Sequence, residues 1–268
     1  VVTVQYPFET GLVGLIIARM RGVPLHVQAH TDFTSLAFRR HSFVNRIRYH
    51  LAWFVLRRAA RIRVVLESTK DALIARGVHA PITVLPIFVD VARFAEITRV
   101  KHPQFKVALL FIGRLEREKH PCLAIDALAT VRAAGHDAGL TIVGEGSERA
   151  LLGQRAHRLG LERFVEFVSW QTDITPFLSQ ADILLVPSRY EGYGLGIVEA
   201  LATGVPVLAT DVGCAREAGA IIVPEKDFPA ALVRWVSNGP RQATLADYPY
   251  QNFEAYVRAL TDDVRASA

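Results

Sequence analysis

Short β-branched apolar runs alternate with longer stretches whose apolar residues recur at a helical spacing of about 3.6 residues. The apolar runs predict nine strands, at Val1–Val4, Leu25–Gln28, Arg63–Leu66, Thr83–Leu85, Val107–Ile112, Leu140–Val143, Phe164–Val168, Ile183–Pro187 and Pro206–Ala209. The helical spacing is clearest in Cys122–Ala134 and Glu148–Leu159. Because strands that alternate with helices are typical of parallel sheets with crossover connections, we predict an α/β fold of the doubly wound class.

A turn-rich connector from Pro86 to Pro103 divides this pattern into two parts. We therefore predict two Rossmann-like domains, residues 1–98 and residues 99–268, of which the second holds a complete α/β unit. The first part offers only four predicted strands and starts at Val1, inside a predicted strand and without an initiator Met. We interpret the chain as N-terminally truncated and its N-terminal domain as incomplete.

The composition is that of an ordinary globular protein, with 268 residues of which 51% are hydrophobic and 21% charged. It excludes disordered and collagen-like chains, and two cysteines are too few for a disulfide framework. No apolar run approaches the ~20 residues that a membrane-spanning helix needs. The charge is uneven, because 14 Lys and Arg face 6 Asp and Glu in residues 1–100, whereas residues 101–268 are net acidic. The basic half indicates an anionic partner, such as a phosphate, a lipid headgroup or a nucleic acid.

The segment 186–213 (VPSRYEGYGLGIVEALATGVPVLATDVG) carries the most chemical information. A predicted strand is followed by a glycine-rich loop and by a predicted helix over residues 195–203. The backbone N–H groups at such a helix N-terminus attract a diphosphate at the carboxyl edge of a parallel sheet. Glu191 at the loop entrance and Glu199 inside the helix can accept hydrogen bonds from sugar and ribose hydroxyls. An ordinary strand–loop–helix connection with two solvated glutamates explains the loop alone equally well.

A second segment, residues 111–119 (FIGRLEREK), places cations directly after a predicted strand. Arg114 and Lys119 follow Gly113 within one loop. The planar guanidinium of an Arg suits two phosphate oxygens, and the ammonium of a Lys adds a compact charge. Taken by itself, the segment is more simply a solvated charge run.

A third segment, residues 143–148 (VGEGSE), is a strand-to-helix turn. It lacks the dinucleotide-binding fingerprint, because Arg149 occupies the place of the third glycine. The pattern favours a structural turn in which Ser147 caps the following helix.

Together and in this order, these segments resemble glycosyltransferase family 4, a family of retaining, nucleotide-sugar-dependent enzymes with the GT-B fold. GRLEREKH is similar to the family's diphosphate-binding stretch, VGEGSER to its Gly-(Asp/Glu)-Gly turn, and the spacing of Glu191 and Glu199 to its paired glutamates. Upstream, VVLESTKDAL, VLPIFVDVARF and VQAHTDF are similar to a helix start, a connector and a strand end that carries a His. The resemblance runs from about Val1 to Asp227, and it implies two Rossmann-like, doubly wound parallel-sheet domains that face a cleft.

The resemblance also implies roles for individual residues. His30 and Glu191 would be catalytic, with His30 near the reacting carbon and Glu191 on the donor sugar. Donor binding is implied for Gly113, Arg114, Lys119, Gly192, Tyr193, Gly194, Leu195 and Glu199. Arg114 and Lys119 would neutralise the leaving diphosphate, while Glu199 would hold the ribose hydroxyls. Without the resemblance, a lone His after an apolar run is more often structural than catalytic.

The resemblance implies a metal-independent reaction with no cofactor besides the nucleotide-diphosphate sugar as co-substrate. No Asp-x-Asp metal motif is present, so Arg114 and Lys119 would replace a divalent cation. Three places depart from the family pattern, one of which is the shortened stretch from Glu217 to Pro224. Ser169 and Trp170 stand where a Gly is usual in the base-binding turn, and Cys214 stands where a second Gly is common. The nucleotide base is therefore not predicted.

Residues 39–66 contain eight Arg and no acidic residue. At helical spacing they form an apolar stripe, which consists of Phe43, Ile47, Leu51 and Phe54. Such a helix can lie on an anionic membrane through residues 39–63, which suits a lipid-linked acceptor and a cytoplasmic chain at the inner face of the membrane. The pattern favours the alternative, in which the stripe packs on the domain core and the arginines point to water. No helix-turn-helix, zinc or RNP-like pattern is present, so we predict no nucleic-acid partner.

We predict a retaining glycosyltransferase of the hexosyltransferase type. It would move a sugar from a nucleotide-diphosphate sugar to a hydroxyl of a glycan, a lipid-linked or a small-molecule acceptor. The alternatives are a nucleotide-sugar epimerase or phosphorylase on the same architecture, or a non-catalytic fragment that binds nucleotide sugar or membrane. The donor sugar, the base and the acceptor are not predicted, because the shape of the pocket decides them.

Overall fold

A computed structural model describes residues 1–246 and 248–267 and divides them into two compact units. The first unit comprises Val1–Phe88, Tyr190–Tyr193 and the C-terminal residues from Pro249 on. The second unit comprises Val89–Arg189 and Gly194–Tyr248. Each unit contains its own parallel β-sheet, which confirms the predicted fold class.

The sheet of the first unit runs β1-β2-β3-β4, and all of its strands are parallel. The strands are β1 (Val2–Val4), β2 (Leu25–Ala29), β3 (Arg61–Val64) and β4 (Ile82–Val84). The helices of this unit are α1 (Glu9–Arg21), α2 (Leu36–His41), α3 (Phe43–Leu56), α4 (Glu67–Ala75) and, from the C-terminus, α12 (Phe253–Arg265). The strands follow each other in chain order, so each crossover connection joins two neighbouring strands.

The sheet of the second unit has the order β10-β9-β8-β5-β6-β7. Its strands are β5 (Val107–Ile112), β6 (Ala138–Val143), β7 (Val165–Val168), β8 (Ile183–Val186), β9 (Val207–Ala209) and β10 (Ile221–Ile222). Its helices are α5 (Val91–Ala95), α6 (Pro121–Ala133), α7 (Arg149–Arg158), α8 (Thr175–Gln180), α9 (Leu195–Ala202), α10 (Ala215–Ala218) and α11 (Phe228–Asn238), with a 3₁₀ turn at Glu225–Asp227.

The core of the second unit forms around β5, whose sequence VALLFI is apolar at every position. A strand whose sheet is covered by helices on both faces needs a continuous apolar sequence, because the side chains on both of its faces are shielded from water. The strand order reverses beside β5, which pairs with β6 on one edge and with β8 on the other. Ligands of open α/β sheets bind at the carboxyl ends of the strands where the order reverses.

The sheet of the first unit differs, because one of its faces is polar. Arg61 and Arg63 alternate with Ile62 and Val64 along β3, and the side chain of Arg63 is fully buried. Helix α12 covers part of this face with Asp263, which lies 3.0 Å from His26 and 2.5 Å from Arg61. Burial by itself would raise the pKa of Asp263, but hydrogen bonds from Arg61, Thr83 and His26 outweigh it and lower that pKa.

Each of the nine predicted strands is present, with its bounds shifted by at most two residues. The sequence pattern missed the two-residue strand β10, because so short a run shows no alternation. Across the described part of the chain, none of the helices combines the length and the apolar character needed to cross a membrane.

The units differ from the predicted ranges 1–98 and 99–268 in two respects. The division falls between Phe88 and Val89, because the segment after it packs on the second unit, where Val100 N donates to the carbonyl of Ser179 at 2.8 Å. The chain also returns to the first unit at its C-terminus. The partner of α12 is distant in sequence, so no local pattern reports it.

We expect Asp263→Ala to lower the free energy of unfolding at pH 7 by about 1–3 kcal/mol, because it leaves the buried His26 and the half-buried Arg61 without their hydrogen-bond acceptor. The ionised Asp263 stabilises the fold above the ordinary Asp pKa of about 3.9, and this stabilisation is lost as the pH falls through the lowered pKa. Urea denaturation measures both effects. The neighbouring Asp262→Ala is the control, since that side chain is 65% exposed. Equal stability of the two variants would contradict the assignment.

Candidate functional site

Three loops follow neighbouring strands at the carboxyl edge of the second unit's sheet. They are the loop after β5 (residues 113–120), the turn after β6 (residues 144–148) and the loop after β8 (residues 187–194). They contain the three segments that the sequence analysis singled out. The fold therefore brings these segments to one edge of one sheet.

Hydrogen bonds join the first two loops. The N–H of Leu115 donates to the carbonyl of Glu145 at 2.7 Å, and the hydroxyl of Ser147 donates to Glu116 Oε2 at 2.7 Å. The prediction that Ser147 caps the following helix is wrong, because α7 starts after Glu148 and has no side-chain cap. The Ser147 hydroxyl instead binds the loop that carries the predicted cations.

The glycines of the VGEGSE turn are required by this close approach. A Cβ on Gly144 would lie 1.9 Å from the carbonyl oxygen of Gly113, and one on Gly146 would lie 2.4 Å from that of Leu115. Both glycines also have positive φ, at 146° and 156°. A side chain at either position would separate the two loops.

Arg114 and Lys119 lie in the first of these loops. Arg114 donates to Glu118 Oε1 at 2.9 Å, and its side chain is 64% exposed while that of Glu118 is 8% exposed. The carbonyl of Glu118 accepts a hydrogen bond from the N–H of Arg189, which ties this loop to the loop after β8. The sequence analysis missed Glu118, although its i,i+4 spacing from Arg114 was a usable signal.

His120 was also missed, and it precedes the proline that starts α6. It is the one non-glycine residue among those described that has a positive φ, at 51°. Burial and the charge of Arg189 lower its pKa. Backbone strain of this kind is concentrated at functional sites, so His120 joins the candidate residues.

Helix α9 begins at the end of the third loop. Its N-cap is Gly194, with a φ of 98°, and a Cβ there would lie 2.8 Å from Ile197 Cδ1. The backbone N–H groups of Leu195 and Gly196 lie in the first turn of α9, where a helix offers no acceptor of its own. The positive end of the helix dipole lies at the same point.

Glu199 lies one turn into α9 and is half-buried. Its Oε2 lies 3.9 Å from the position of a Cβ on Gly196, so it points back toward the start of the helix. Burial raises the pKa of Glu199, and the nearby charge of Arg93 opposes this shift in part. Among the residues that the structure describes, none donates a hydrogen bond to its carboxylate. A half-buried carboxylate in this state is suited to bind a hydroxyl from outside the chain.

The segment with Glu191 groups with the first unit rather than the second. A Cβ on the adjacent Gly192 would lie 2.4 Å from the carbonyl oxygen of His30. Only glycine at position 192 therefore lets the two backbone segments, at Gly192 and at His30, approach this closely. Tyr193, which was predicted to bind the donor, is 7% exposed, so its side chain is largely covered.

His30 follows β2 and is half-buried. Its Nε2 lies 3.1 Å from Gln28 Oε1. Burial, together with the charge of Arg63, lowers the pKa of His30 to about 4. His30 is therefore neutral at physiological pH, and it can accept a hydrogen bond but offers no positive charge.

Residues 1–246 and 248–267 contain no group of three or more His, Cys, Asp or Glu side chains arranged to hold a metal ion. Within the same residues, neither Cys122 nor Cys214 forms a disulfide. Cys214 is buried, and its Sγ lies 3.7 Å from the position of a Cβ on Gly194. The cysteine that stands in place of the expected glycine therefore packs against Gly194, the N-cap of α9.

Two family models match consecutive parts of the chain. The model described as Glycosyltransferase Family 4 matches residues 1–93, and the model described as Glycosyl transferases group 1 matches residues 106–238. The chain belongs to glycosyltransferase family 4. The resemblance that was stated from the motifs is thereby confirmed.

Two curated relatives are similar to this family 4 chain. The 2-deoxystreptamine glucosyltransferase of Streptomyces kanamyceticus is 35% identical over 219 residues, which cover 75% of the chain and 56% of the relative. The GDP-mannose-dependent alpha-(1-6)-phosphatidylinositol dimannoside mannosyltransferase of Mycobacterium tuberculosis is 38% identical over 112 residues, which cover 42% of the chain and 29% of the relative. The chain thus spans about half or less of the length of these relatives.

A solved structure shows the same fold. The crystal structure of Anabaena HepE in complex with UDP has a TM-score of 0.76, 20% sequence identity, and coverage of 96% of this chain and 76% of that chain. The two parallel-sheet units of this family 4 chain are therefore GT-B domains. The roles implied for its individual residues stay predictions.

We expect Gly144→Ala to destabilise the chain by about 1–3 kcal/mol, because an added methyl meets the Gly113 carbonyl and the backbone is strained for a non-glycine residue. Thermal denaturation measures the change. The control is Gly153→Ala in the middle of α7, where the nearest atom to a Cβ is a flexible Arg149 nitrogen at 3.5 Å. That control should be neutral or stabilising by about 1 kcal/mol. A harmless Gly144→Ala would refute the close approach of the loops.

Proposed function

We propose that this chain is part of a retaining glycosyltransferase that moves a sugar from a nucleotide-diphosphate sugar to an acceptor hydroxyl. The observation that carries the proposal is the carboxylate of Glu199. It is half-buried, it receives no hydrogen bond from the described residues, and it points toward the start of α9. A ribose presents two neighbouring hydroxyls, which are the donors that such a carboxylate binds.

The diphosphate has suitable partners beside Glu199. The first turn of α9 offers backbone N–H groups at Leu195 and Gly196, and Arg114 and Lys119 lie at the same edge of the sheet. Breaking the bond between the sugar and the diphosphate leaves negative charge on the diphosphate. Fixed donors that bind this charge stabilise the transition state, and the loss of one such donor typically costs about 2.7–4 kcal/mol. We propose that Arg114 and Lys119 supply this charge without a divalent cation or a further cofactor.

For the sugar, we propose the roles that the family resemblance implies. Glu191 would bind hydroxyls of the donor sugar, and His30 would act near the reacting carbon. The close approach of Gly192 to the His30 carbonyl supports a shared location for the two residues. The neutral state of His30 suits a hydrogen-bond acceptor for a sugar hydroxyl.

The relatives support the reaction class. One is named a glucosyltransferase and another a mannosyltransferase, and HepE was crystallised with UDP. None of these supports an epimerase or a phosphorylase.

We expect Glu199→Gln to weaken the binding of a nucleoside diphosphate by about 10- to 100-fold, because hydrogen bonds to a charged acceptor contribute about 1.5–3 kcal/mol. In the parent chain the affinity should fall as the pH falls through the raised pKa of Glu199, since protonation removes the negative charge. Isothermal titration calorimetry with UDP and with GDP measures both effects.

The control for this experiment is Glu166→Gln, which changes an exposed glutamate of the same unit on β7. Its affinity should equal that of the parent chain. Unchanged affinity in Glu199→Gln would remove the basis of the proposal. A sugar that changes configuration without any acceptor would indicate an epimerase instead.

We also propose that the first unit contacts an anionic membrane, at the inner face in a cytoplasmic setting. The alternative that the stripe of α3 packs on the core does not hold for most of the stripe, since Phe43 is 71%, Ile47 53% and Phe54 42% exposed. The buried face of α3 consists instead of Asn45, Tyr49, Ala52, Trp53, Val55 and Leu56. The named acceptor of the mycobacterial relative is a phosphatidylinositol dimannoside, which supports a lipid-linked acceptor here.

Helix α1, which packs against α3, enlarges the exposed apolar surface. Its exposed large apolar residues are Val13, Ile16, Ile17 and Met20, of which Met20 is 80% exposed. The exposed arginines Arg40 and Arg46 lie beside the stripe in sequence. Apolar side chains among cations match an interface of anionic headgroups.

We expect the chain to sediment with phosphatidylglycerol vesicles and much less with phosphatidylcholine vesicles. The double variant Phe43→Ser/Ile47→Ser should lower the partition by more than tenfold, because burying such a side chain contributes about 1.5–3 kcal/mol. The control is Ile74→Ser on α4, which is 54% exposed and lies outside the stripe. Equal sedimentation of the three chains would exclude this contact.

A further inference from the structure

A chain of hydrogen bonds, buried at its Asp263–His26 end and partly buried beyond it, runs along the polar face of the first unit's sheet. It starts at Asp263 on α12, passes through His26, Thr3 and Gln28, and ends at His30. Each member has a defined set of donors and acceptors, so the positions of the protons can be worked out from the two ends.

From the α12 end, the lowered pKa of Asp263 makes it a carboxylate, which only accepts hydrogen bonds. His26 Nε2, at 3.0 Å from Asp263 Oδ2, must therefore carry a proton. Burial lowers the pKa of His26, so this imidazole is neutral and its Nδ1 is an acceptor. The Thr3 hydroxyl, at 2.8 Å, donates to that Nδ1. The lone pairs of Thr3 Oγ1 then face Gln28 Nε2 at 3.4 Å.

At the other end of the chain of hydrogen bonds, the contact of Arg63 with Gln28 gives the orientation of the Gln28 amide independently. The Arg63 guanidinium has only donors, and Nη1 lies 2.8 Å from Gln28. The atom of Gln28 that faces Arg63 must therefore be the oxygen, Oε1. Both ends of the chain fix the same orientation of the Gln28 amide.

The orientation of Gln28 decides the state of His30. Gln28 Oε1 accepts from Arg63 and also lies 3.1 Å from His30 Nε2. An amide oxygen cannot donate, so His30 Nε2 must carry the proton. In the neutral ring the remaining lone pair is then on Nδ1.

Arg63 also acts on His30 through its charge. It is 1% exposed, and its other acceptors among the residues described are neutral oxygens: the carbonyls of Leu85 and Pro86 and the hydroxyl of Tyr256. A buried positive charge without a carboxylate disfavours a second proton on the neighbouring imidazole. It contributes, after burial, to the low pKa of His30.

We propose that Gln28 and Arg63 are positioning residues that hold His30 as its Nε2–H tautomer, so that Nδ1 accepts a hydrogen bond from a hydroxyl of the sugar. This inference rests on the proposed glycosyl transfer, and it adds which atom of His30 meets the substrate and which two residues select that atom.

The tautomer of His30 can be determined by NMR spectroscopy, without an assay of enzyme activity. In ¹⁵N–¹H long-range correlation spectra of the full chain, with His30 assigned through a His30→Asn variant, we expect a protonated Nε2 and an unprotonated Nδ1 at pH 7. In Gln28→Leu, His30 should become a mixture of the two tautomers. The control Gln154→Leu, at an exposed position of α7, should leave the spectrum of His30 unchanged. A protonated Nδ1 in the parent chain would overturn the proposal, as would an unchanged tautomer in folded Gln28→Leu.

A second variant covers the case in which Gln28→Leu does not fold. Gln28→Glu keeps an acceptor for both Arg63 and His30, so the Nε2–H tautomer should persist. Its negative charge should raise the pKa of His30 above the parent value of about 4. The acid limb of kcat, measured at saturating nucleotide sugar so that donor binding by Glu199 does not limit the rate, should then move to higher pH, because a protonated Nδ1 no longer accepts. An acid limb that does not move would count against the role of Nδ1.

Kinetics separate this inference from the proposed function. Gln28→Leu should lower kcat/KM for transfer by about tenfold, in line with the loss of one oriented hydrogen bond. If the parent chain transfers sugar and Gln28→Leu does so equally well, the positioning role fails while the proposed function stands. If the parent chain transfers no sugar from any nucleotide sugar, the proposed function fails, and the spectra still decide the tautomer.

Discussion

The candidate donor site depends on one close backbone contact, between the turn after β6 and the loop after β5. Gly144 approaches the carbonyl of Gly113 so closely that a Cβ would lie 1.9 Å from it. This approach lets the two loops exchange main-chain hydrogen bonds and fixes the segment that carries Arg114 and Lys119. A loop held in this way presents its cations at a defined place, whereas a free surface loop would lose that order to conformational entropy.

Burial and hydrogen bonding together shift the pKa values of two carboxyl groups, Asp263 and Glu199, in opposite directions. Asp263 is as buried as a core residue but has donors on both sides, so its pKa is lowered. Glu199 has no such donors among the described residues, and burial raises its pKa. A satisfied carboxylate stabilises the fold, while an unsatisfied one is available to a ligand. The contrast separates a structural acid from a candidate binding acid within one chain.

The first unit combines two unusual surfaces. The polar face of its sheet holds the buried side chains of His26, Gln28 and Arg63, while most of the apolar stripe of α3 is exposed. A fold usually buries apolar groups and exposes charges, so each departure has a cost in free energy. The hydrogen bonds of this polar face pair its buried groups with one another and fix proton positions as far as His30. The exposed stripe has no such internal compensation, which favours a partner outside the chain.

The sequence alone determined every strand except the two-residue β10, because apolar runs such as that of β5 are local and strongly patterned. It also determined the family, since several spaced motifs occur in the right order. Only the tertiary structure decided which side of α3 is buried, what Ser147 binds and how Glu118 holds Arg114. The pairing of His26 with Asp263 joins residues 237 positions apart. Periodicity reports which face of an element is apolar, but the partner of that face and the burial of each polar group depend on contacts between distant parts of the chain.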